Sequence, residues 1–144
     1  FYAAEGYNMH RGVCVFDLDH TLTCGDPARA VAACRDAGYA LAVNTARPSA
    51  WLEPGLRALG LPAPGTPAFR HNPCSYHQTE FQRAEHKGRA MHAIAQHFGT
   101  PNLVLFDDLD ANVDAARRHG YRARRVGGEK SCGVSEHDLR CALG

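Results

Sequence analysis

Short apolar runs alternate along the chain with segments that have a helical pattern. Val13, Val15 and Phe16 belong to a β-favouring run in which neither face is consistently polar, as is typical of a strand covered on both sides. Further strands are predicted at 41–44, 68–70, 103–106 and 121–126, and helices at 28–37, 49–59, 86–98 and 111–119. Strands that alternate with helices predict an α/β fold, a three-layer α/β/α sandwich with a mostly parallel sheet.

Capping residues set the ends of some of these elements. Asp26 followed by Pro27 predicts the start of the first helix. Ser135, with Asp138 three residues later, resembles a capping box and predicts a last short helix. The polar segment 73–85 has no period and is predicted to be irregular.

The size and charge of the chain restrict the possible classes of protein. Its 144 residues suit one domain, and its formal net charge of +1 gives no bulk field that would select nucleic acid or a membrane. No apolar run approaches the roughly 20 residues of a transmembrane helix, and no secretory signal pattern is visible. Residues 1–12 are predicted to be an N-terminal extension and 13–144 the core domain; Met9 is a candidate natural start, with the residues before it derived from a vector.

Six cysteines are scattered along the chain without a C-x-x-C pair: Cys14, Cys24, Cys34, Cys74, Cys132 and Cys141. Cys14 lies in a predicted strand and Cys34 in a predicted helix, which are ordinary places for small buried thiols. This pattern predicts no disulfide framework and a reducing, cytoplasmic location.

Two pairs of carboxylates follow predicted strands. Asp17 and Asp19 follow the first strand, and Asp107 and Asp108 follow the fourth. The carboxyl ends of parallel strands border the crevice where open α/β sheets bind ligands, so the four acids are expected to converge there. Carboxylates that lie so close together need a cation or a shared proton between them. Mg²⁺ prefers oxygen ligands such as carboxylates. For Asp17 and Asp19, the alternative is a strand that ends in a polar turn with solvated acids.

Two further residues could bind an anion near this crevice. Thr45 ends the second predicted strand just before a helix, where a hydroxyl is well placed to donate to an anion. Arg47 could reach a phosphate as a planar fork, or it could be a surface arginine near a helix start.

Four motifs occur in order along the chain: Asp17, Asp19 and Thr21; then Thr45; then Lys87; then Asp107, Asp108 and Asn112. They resemble the four motifs of the haloacid dehalogenase (HAD) superfamily, of which the first is D-x-D-x-T after a hydrophobic strand and the last has a DD-x-x-x-N variant. The resemblance spans roughly residues 13–126. Most members are magnesium-dependent phosphatases, so it implies hydrolysis of phosphate monoesters and a Rossmann-like sheet.

The resemblance also implies a role for each catalytic residue. Asp17 would be the nucleophile and Asp19 the general acid/base. Thr45 and Lys87 would hold the phosphoryl group. Lys87 is expected in the first turn of its helix, where the helix dipole slightly disfavours a cation and so supports a special role.

The metal site follows from the same resemblance. Mg²⁺ would be bound by Asp17, by the backbone carbonyl of Asp19 and by Asp108. Asp107 would act through water, and Asn112 would orient the acidic residues.

The spacing between motifs leaves no room for the cap domain that many members of this family carry. There is space for one helix between 23 and 41, and for a helix, a short strand and a loop between 45 and 87. An uncovered site suits a phosphorylated macromolecule, such as a phosphoprotein or a nucleic-acid end, although contacts in an oligomer could close it around a small molecule. The alternatives are a phosphotransferase or mutase on the same site and a non-catalytic module that binds a phosphorylated partner.

Two other clusters have competing interpretations. His71, Cys74 and His77 have a spacing that zinc accepts, but three ligands in one irregular loop are a weak pattern, and the loop is expected to border the site. Five arginines lie close together late in the chain: Arg117, Arg118, Arg122, Arg124 and Arg125. They could follow a phosphate backbone, but a charged edge strand that resists aggregation is favoured.

Overall fold

The computed structural model describes residues 10–46, 53–128 and 131–144. Within these ranges the chain forms five strands, five α-helices and a short 3-10 helix at Ser75–His77. The strands are β1 (Gly12–Phe16), β2 (Tyr39–Thr45), β3 (Phe69–His71), β4 (Leu103–Asp107) and β5 (Arg122–Arg125). The helices are α1 (Pro27–Asp36), α2 (Glu53–Leu59), α3 (Glu80–Phe98), α4 (Asp110–Arg118) and α5 (Glu136–Leu143).

All pairings in the sheet are parallel, and the strand order is β3-β2-β1-β4-β5. The chain builds outward from β1 to β3 and then returns to add β4 and β5 on the other side. The direction therefore reverses between β1 and β4, and such a switch point opens a crevice at the carboxyl ends of the strands. The predicted three-layer α/β/α fold is confirmed.

The two faces of the sheet are covered by different helices. On one face Phe16 and Phe106 stack with their ring centroids 5.3 Å apart, in a core cluster that includes residues of α1, α2 and α5. On the other face Val15 and Leu105 pack in a cluster with Met91 of α3 and with Ala116 of α4. Because side chains alternate along a strand, each central strand contributes to both clusters.

Two helices begin at the side-chain caps that the sequence predicts for them. The Asp26 carboxylate accepts a hydrogen bond from Arg29 N at the start of α1. Ser135 and Asp138 form a reciprocal capping box at the start of α5. Most other boundaries differ from the prediction by one or two residues. The predicted start of the second helix, near 49, lies outside the described residues, as do Met9 and the residues before it.

The third helix begins earlier than predicted. It starts at Glu80 rather than near His86, because Thr79 and Gln82 form a capping box that the prediction did not include. The prediction of an irregular segment over 73–85 is therefore wrong from Glu80 onward. Lys87 consequently lies two turns inside the helix and not in its first turn, where the helix dipole would disfavour a cation.

Two disulfides connect cysteines that the prediction left unpaired. Cys14 of β1 is bonded to Cys34 of α1, and Cys24, after β1, is bonded to Cys132, after β5. The prediction of no disulfide framework is wrong, because pairing depends on which elements become neighbours and not on spacing along the chain. Scattered cysteines therefore no longer support a reducing compartment. Every helix in the described ranges is too short or too polar to cross a lipid bilayer.

The late arginines lie on the edge strand β5 and on the end of α4. Their guanidinium groups contact the following partners: Ala123 O for Arg117, Glu85 for Arg118, Ala142 O for Arg122, Asp138 for Arg124 and Asp110 for Arg125. These contacts favour a charged, solvated edge over a surface that follows a phosphate backbone.

Candidate functional site

Asp17 and Asp107 lie on the same face of the sheet because side chains alternate between the two faces along each strand. Val13 and Val15 of β1 face α3, and Asp17 continues that series; its backbone N–H donates to Phe106 O at 3.0 Å. On β4, Leu105 faces α3 and Asp107 follows it by two residues. The two carboxylates therefore meet at the switch point between β1 and β4.

Lys87 joins these two carboxylates. It lies on the buried face of α3, between Ala84 and Met91, and only 3% of it is exposed. Its Nζ lies 2.8 Å from Asp17 Oδ1 and 2.7 Å from Asp107 Oδ2. An ammonium group without acidic partners would be very unfavourable at this depth, so the ion pairs determine where it can lie.

Further hydrogen bonds hold the acids in place. Asn112 Nδ2 donates to both carboxylate oxygens of Asp107, at 3.1 and 3.2 Å, and Leu109 N donates to Asp107 Oδ1 at 3.0 Å. Thr21 Oγ1 donates to Asp17 Oδ2 at 3.2 Å. Thr21 thus holds Asp17 by a hydrogen bond, and Asn112 holds Asp107.

The buried side chain of Asn44, for which the sequence predicts no role, also supports the site. Its Nδ2 donates to Lys87 O at 3.0 Å and ties the end of β2 to α3. A buried asparagine next to a predicted anion-binding threonine was the signal that could have identified it.

Three carboxylates come close enough together to hold a metal ion. Asp17, Asp107 and Asp108 each offer an oxygen atom, and these atoms lie within 4.8 Å of one another. When ionised, they carry two negative charges more than the Lys87 ammonium neutralises. A set of oxygen ligands with that excess of charge fits a hard divalent cation such as Mg²⁺.

This cluster differs from the predicted one in two respects. Asp107 belongs to it directly, whereas the resemblance to the HAD superfamily implies that Asp107 acts through water. The side chain of Asp19 does not belong to it, so the expected convergence of four acids is reduced to three. β1 ends at Phe16 and the chain turns at His20, which has a φ of 60°, so the alternation that places Asp17 no longer governs Asp19.

The electrostatics of the site follow from this burial. Burial raises the pKa of Asp17 from 3.8 to about 7, and the charges of Asp107 and Asp108 add to the rise while Lys87 opposes it. Burial alone would lower the pKa of Lys87, but the charges of Asp17 and Asp107 outweigh it and the pKa rises. Lys87 is therefore a fixed cation, and Asp17 is the group whose protonation a bound cation would change.

A small cavity of about 60 Å³ opens beside Lys87. We call it the small cavity; its lining includes Thr45, Ala46, Arg83, His86, Lys87 and Asn112. Thr45 ends β2, as the sequence predicts, and is only 2% exposed. A second cavity of about 300 Å³ is lined by Asp108, His20 and Arg125, among others.

The comparisons with known proteins support the fold alone. No protein-family model matches the chain. No curated protein matches it either. Among solved structures, an uncharacterised protein from Corynebacterium glutamicum is similar with a TM-score of 0.56 and 19% sequence identity. The alignment covers 82% of this chain and 85% of that one.

Two other predicted sites have different outcomes. Arg47 lies outside the described residues. His71, Cys74 and His77 do not form a cluster suited to a metal, since within the described ranges only the three acids meet that condition. Instead, the segment forms the 3-10 helix and a border of the site, and Asn72 and Arg83, which hold it, were not predicted.

Proposed function

We propose that this protein is a magnesium-dependent phosphatase that hydrolyses phosphate monoesters through an aspartyl-phosphate, as a capless member of the HAD superfamily. The observation that supports this most directly is Lys87, whose ammonium lies between the carboxylates of Asp17 and Asp107 beside the small cavity. A binding module has no need of a buried carboxylate held in this way at the switch point of the sheet. The order of the four motifs supports the same proposal.

The proposed reaction has two steps. An oxygen of Asp17 attacks phosphorus, the ester P–O bond breaks, and Asp19 gives its proton to the leaving oxygen. Water then attacks the phosphorus, Asp19 takes a proton from it, and the bond between phosphorus and Asp17 breaks. Free phosphate and the original carboxylate result. The Lys87 ammonium and the Thr45 hydroxyl, which both line the small cavity, would hold the phosphoryl oxygens.

The metal would be held by Asp17, Asp108 and the Asp19 carbonyl, with Asp107 close enough to take part. When bound, Mg²⁺ supplies positive charge that keeps Asp17 ionised and offsets charge on the phosphoryl group. Asn112 and Leu109 N hold the Asp107 carboxylate by hydrogen bonds, which fixes the second acid of the site.

The elements around the site support an uncovered mouth. Between β2 and Lys87 the described residues form α2, β3, the 3-10 helix and the first turns of α3. A mouth bordered by such small elements suits a phosphate carried by a larger molecule, such as a phosphoprotein or a nucleic-acid end.

Release of phosphate tests the proposal. The parent protein with Mg²⁺ should release phosphate from members of a panel of sugar phosphates, nucleotides, phosphopeptides and phosphorylated oligonucleotides, and Asp17→Asn should lower turnover by roughly a thousandfold or more. Asp114→Asn, which changes an exposed acid on α4, is the matched control and should retain activity. Turnover by Asp17→Asn within tenfold of the parent would refute the role of Asp17 as the nucleophile. Transfer to an added alcohol without release of phosphate would identify a phosphotransferase instead.

A further inference from the structure

A larger cavity shares two lining residues with the small cavity. It has a volume of about 540 Å³ and is lined by Ala46, Ser75, Tyr76 and Arg83. We call it the Tyr76 cavity. Ala46 and Arg83 line both cavities, so the two are neighbours. A phosphate ester bound in the small cavity therefore has an adjoining space for its leaving group.

The turn that carries Tyr76 is held by buried and partly buried polar groups. Asn72 is only 2% exposed; its Oδ1 accepts from Cys74 N at 3.0 Å, and its Nδ2 donates to Gln78 Oε1 at 2.7 Å. From α3, a terminal nitrogen of Arg83 donates to Gln78 O at 2.6 Å and to Ser75 O at 3.4 Å. These contacts fix the turn on both sides of residue 76.

Tyr76 has no corresponding role in the core. It is 84% exposed, which is the highest exposure among the large hydrophobic residues that the structure describes. An aromatic ring held on a fixed turn loses little conformational freedom when a planar ring stacks on it, and such stacking tolerates any base.

We propose that Tyr76 stacks on the base of a nucleoside monophosphate whose phosphate lies in the small cavity. The inference rests on the proposed function and names its substrate class as nucleotides. Tyr76 does not line the small cavity, so a ring bonded directly to the ester oxygen, as in phosphotyrosine, would have to extend beyond that cavity to reach it. A nucleotide has a pentose between phosphate and base, and that spacer suits two adjoining cavities.

The charges along this side of the site are mostly positive, and Glu80 is the acid among the residues that line the small cavity. Burial lowers the pKa of His86, and the positive charges of Arg89, Arg70 and His71 lower it further. Cations from β3 and α3 are thus close enough to act on a residue that lines the small cavity. They would attract a phosphate and the phosphodiester chain that follows it at the end of a strand.

Binding measurements separate this inference from the proposed reaction. In the presence of Mg²⁺, calorimetry on Asp17→Asn compares adenosine 5′-monophosphate with ribose 5-phosphate, which carries the same phosphate and no base. The nucleotide should bind about tenfold tighter, since stacking contributes roughly 1–3 kcal/mol per base and 1.4 kcal/mol is tenfold. Adding Tyr76→Ala should bring the ratio of the two Kd values close to one, and Tyr76→Phe should preserve it.

Phe81→Ala is the matched control, because Phe81 is also an exposed aromatic residue but lines neither cavity. It should keep the ratio of Kd values. Three results would overturn the inference. The ratio of Kd values could be near one before Tyr76 is changed, it could persist in Tyr76→Ala, or neither ligand could bind. If phosphate is released from sugar phosphates without a base preference, the proposed function stands and the inference fails.

The reverse outcome is also distinguishable. If no ester is hydrolysed but the nucleotide preference depends on Tyr76, the inference about the base stands and the proposed reaction fails. A 5′-phosphorylated trinucleotide in the same measurement identifies the source of the base. Tighter binding than the mononucleotide assigns the site to strand ends, and equal binding assigns it to free nucleotides.

Discussion

Replacing Asp17 by Asn is expected to stabilise the metal-free protein at pH 8, although it removes the proposed nucleophile. Asn is close in shape to a protonated aspartate. Its Oδ1 can accept from Lys87 and its Nδ2 can donate to Thr21 Oγ1, so the hydrogen bonds at 2.8 and 3.2 Å have counterparts in the variant. What the variant loses is a charge that its buried surroundings disfavour.

The pKa of Asp17 sets the size of this effect. A rise from 3.8 to about 7 means that the folded state disfavours the ionised carboxylate. At 1.36 kcal/mol per unit the cost is on the order of 4 kcal/mol. Because the folded pKa lies above the unfolded one, the stability contributed by the proton is complete below about pH 4 and is lost as the pH rises through about 7. Asp17→Asn should therefore exceed the parent by up to roughly 4 kcal/mol at pH 8, and by progressively less toward pH 4.

Urea denaturation with chelator present measures the free energy of unfolding at pH 8 and at pH 5. Asp114→Asn should differ from the parent by no more than about 0.5 kcal/mol, as is usual for an exposed site. Mg²⁺ at a hundred times its Kd should then raise the stability of the parent by about 2.7 kcal/mol and that of Asp17→Asn by less. A variant less stable than the parent at pH 8 without metal would refute the reasoning, and so would a difference that does not shrink at pH 5.

Three further predictions concern the same elements. Lys87→Met should lower the free energy of unfolding of the metal-free protein by roughly 3–5 kcal/mol in urea at pH 8, because it leaves two buried carboxylates without their cation; a loss below about 1 kcal/mol would contradict this. Mg²⁺ should raise the Tm more at pH 8 than at pH 5.5, because a proton on Asp17 competes with the metal, and a shift independent of pH would count against Asp17 as a ligand. Alkylation and non-reducing peptide mapping should recover two linked pairs, Cys14 with Cys34 and Cys24 with Cys132, and alkylated thiols at Cys74 and Cys141. Any other pairing would contradict the fold around β1.

The acids of the site could be predicted from the sequence because they are fixed by local geometry. Asp17 continues the alternation of Val13 and Val15, and Asp107 that of Leu105. Parallel strands then bring their carboxyl ends to one edge of the sheet. The sequence therefore predicts that the acids meet, and only the structure shows that Asp107 and not Asp19 joins Asp17 and Asp108.

The depth of Lys87 could not be predicted in the same way. Its helix begins at a capping box, Thr79 with Gln82, inside a polar stretch that has no apolar period. The apolar face becomes regular only after His86, so the pattern placed the start of the helix too late. With the correct start, Lys87 is a buried residue between Ala84 and Met91, and its charge requires the two acids opposite it.

The position of Asp19 depends most on the tertiary structure. The segment that carries it is held at one end by the hydrogen bond from Asp17 N to Phe106 O, at 3.0 Å, and at the other by the disulfide between Cys24 and Cys132. Between these points Gly133 N donates to His20 O at 3.2 Å. These contacts come from β4 and from the segment after β5, which lie more than eighty residues away along the chain. The segment of the proposed general acid/base is therefore positioned by the packing of distant segments, whereas the proposed nucleophile directly continues its own strand.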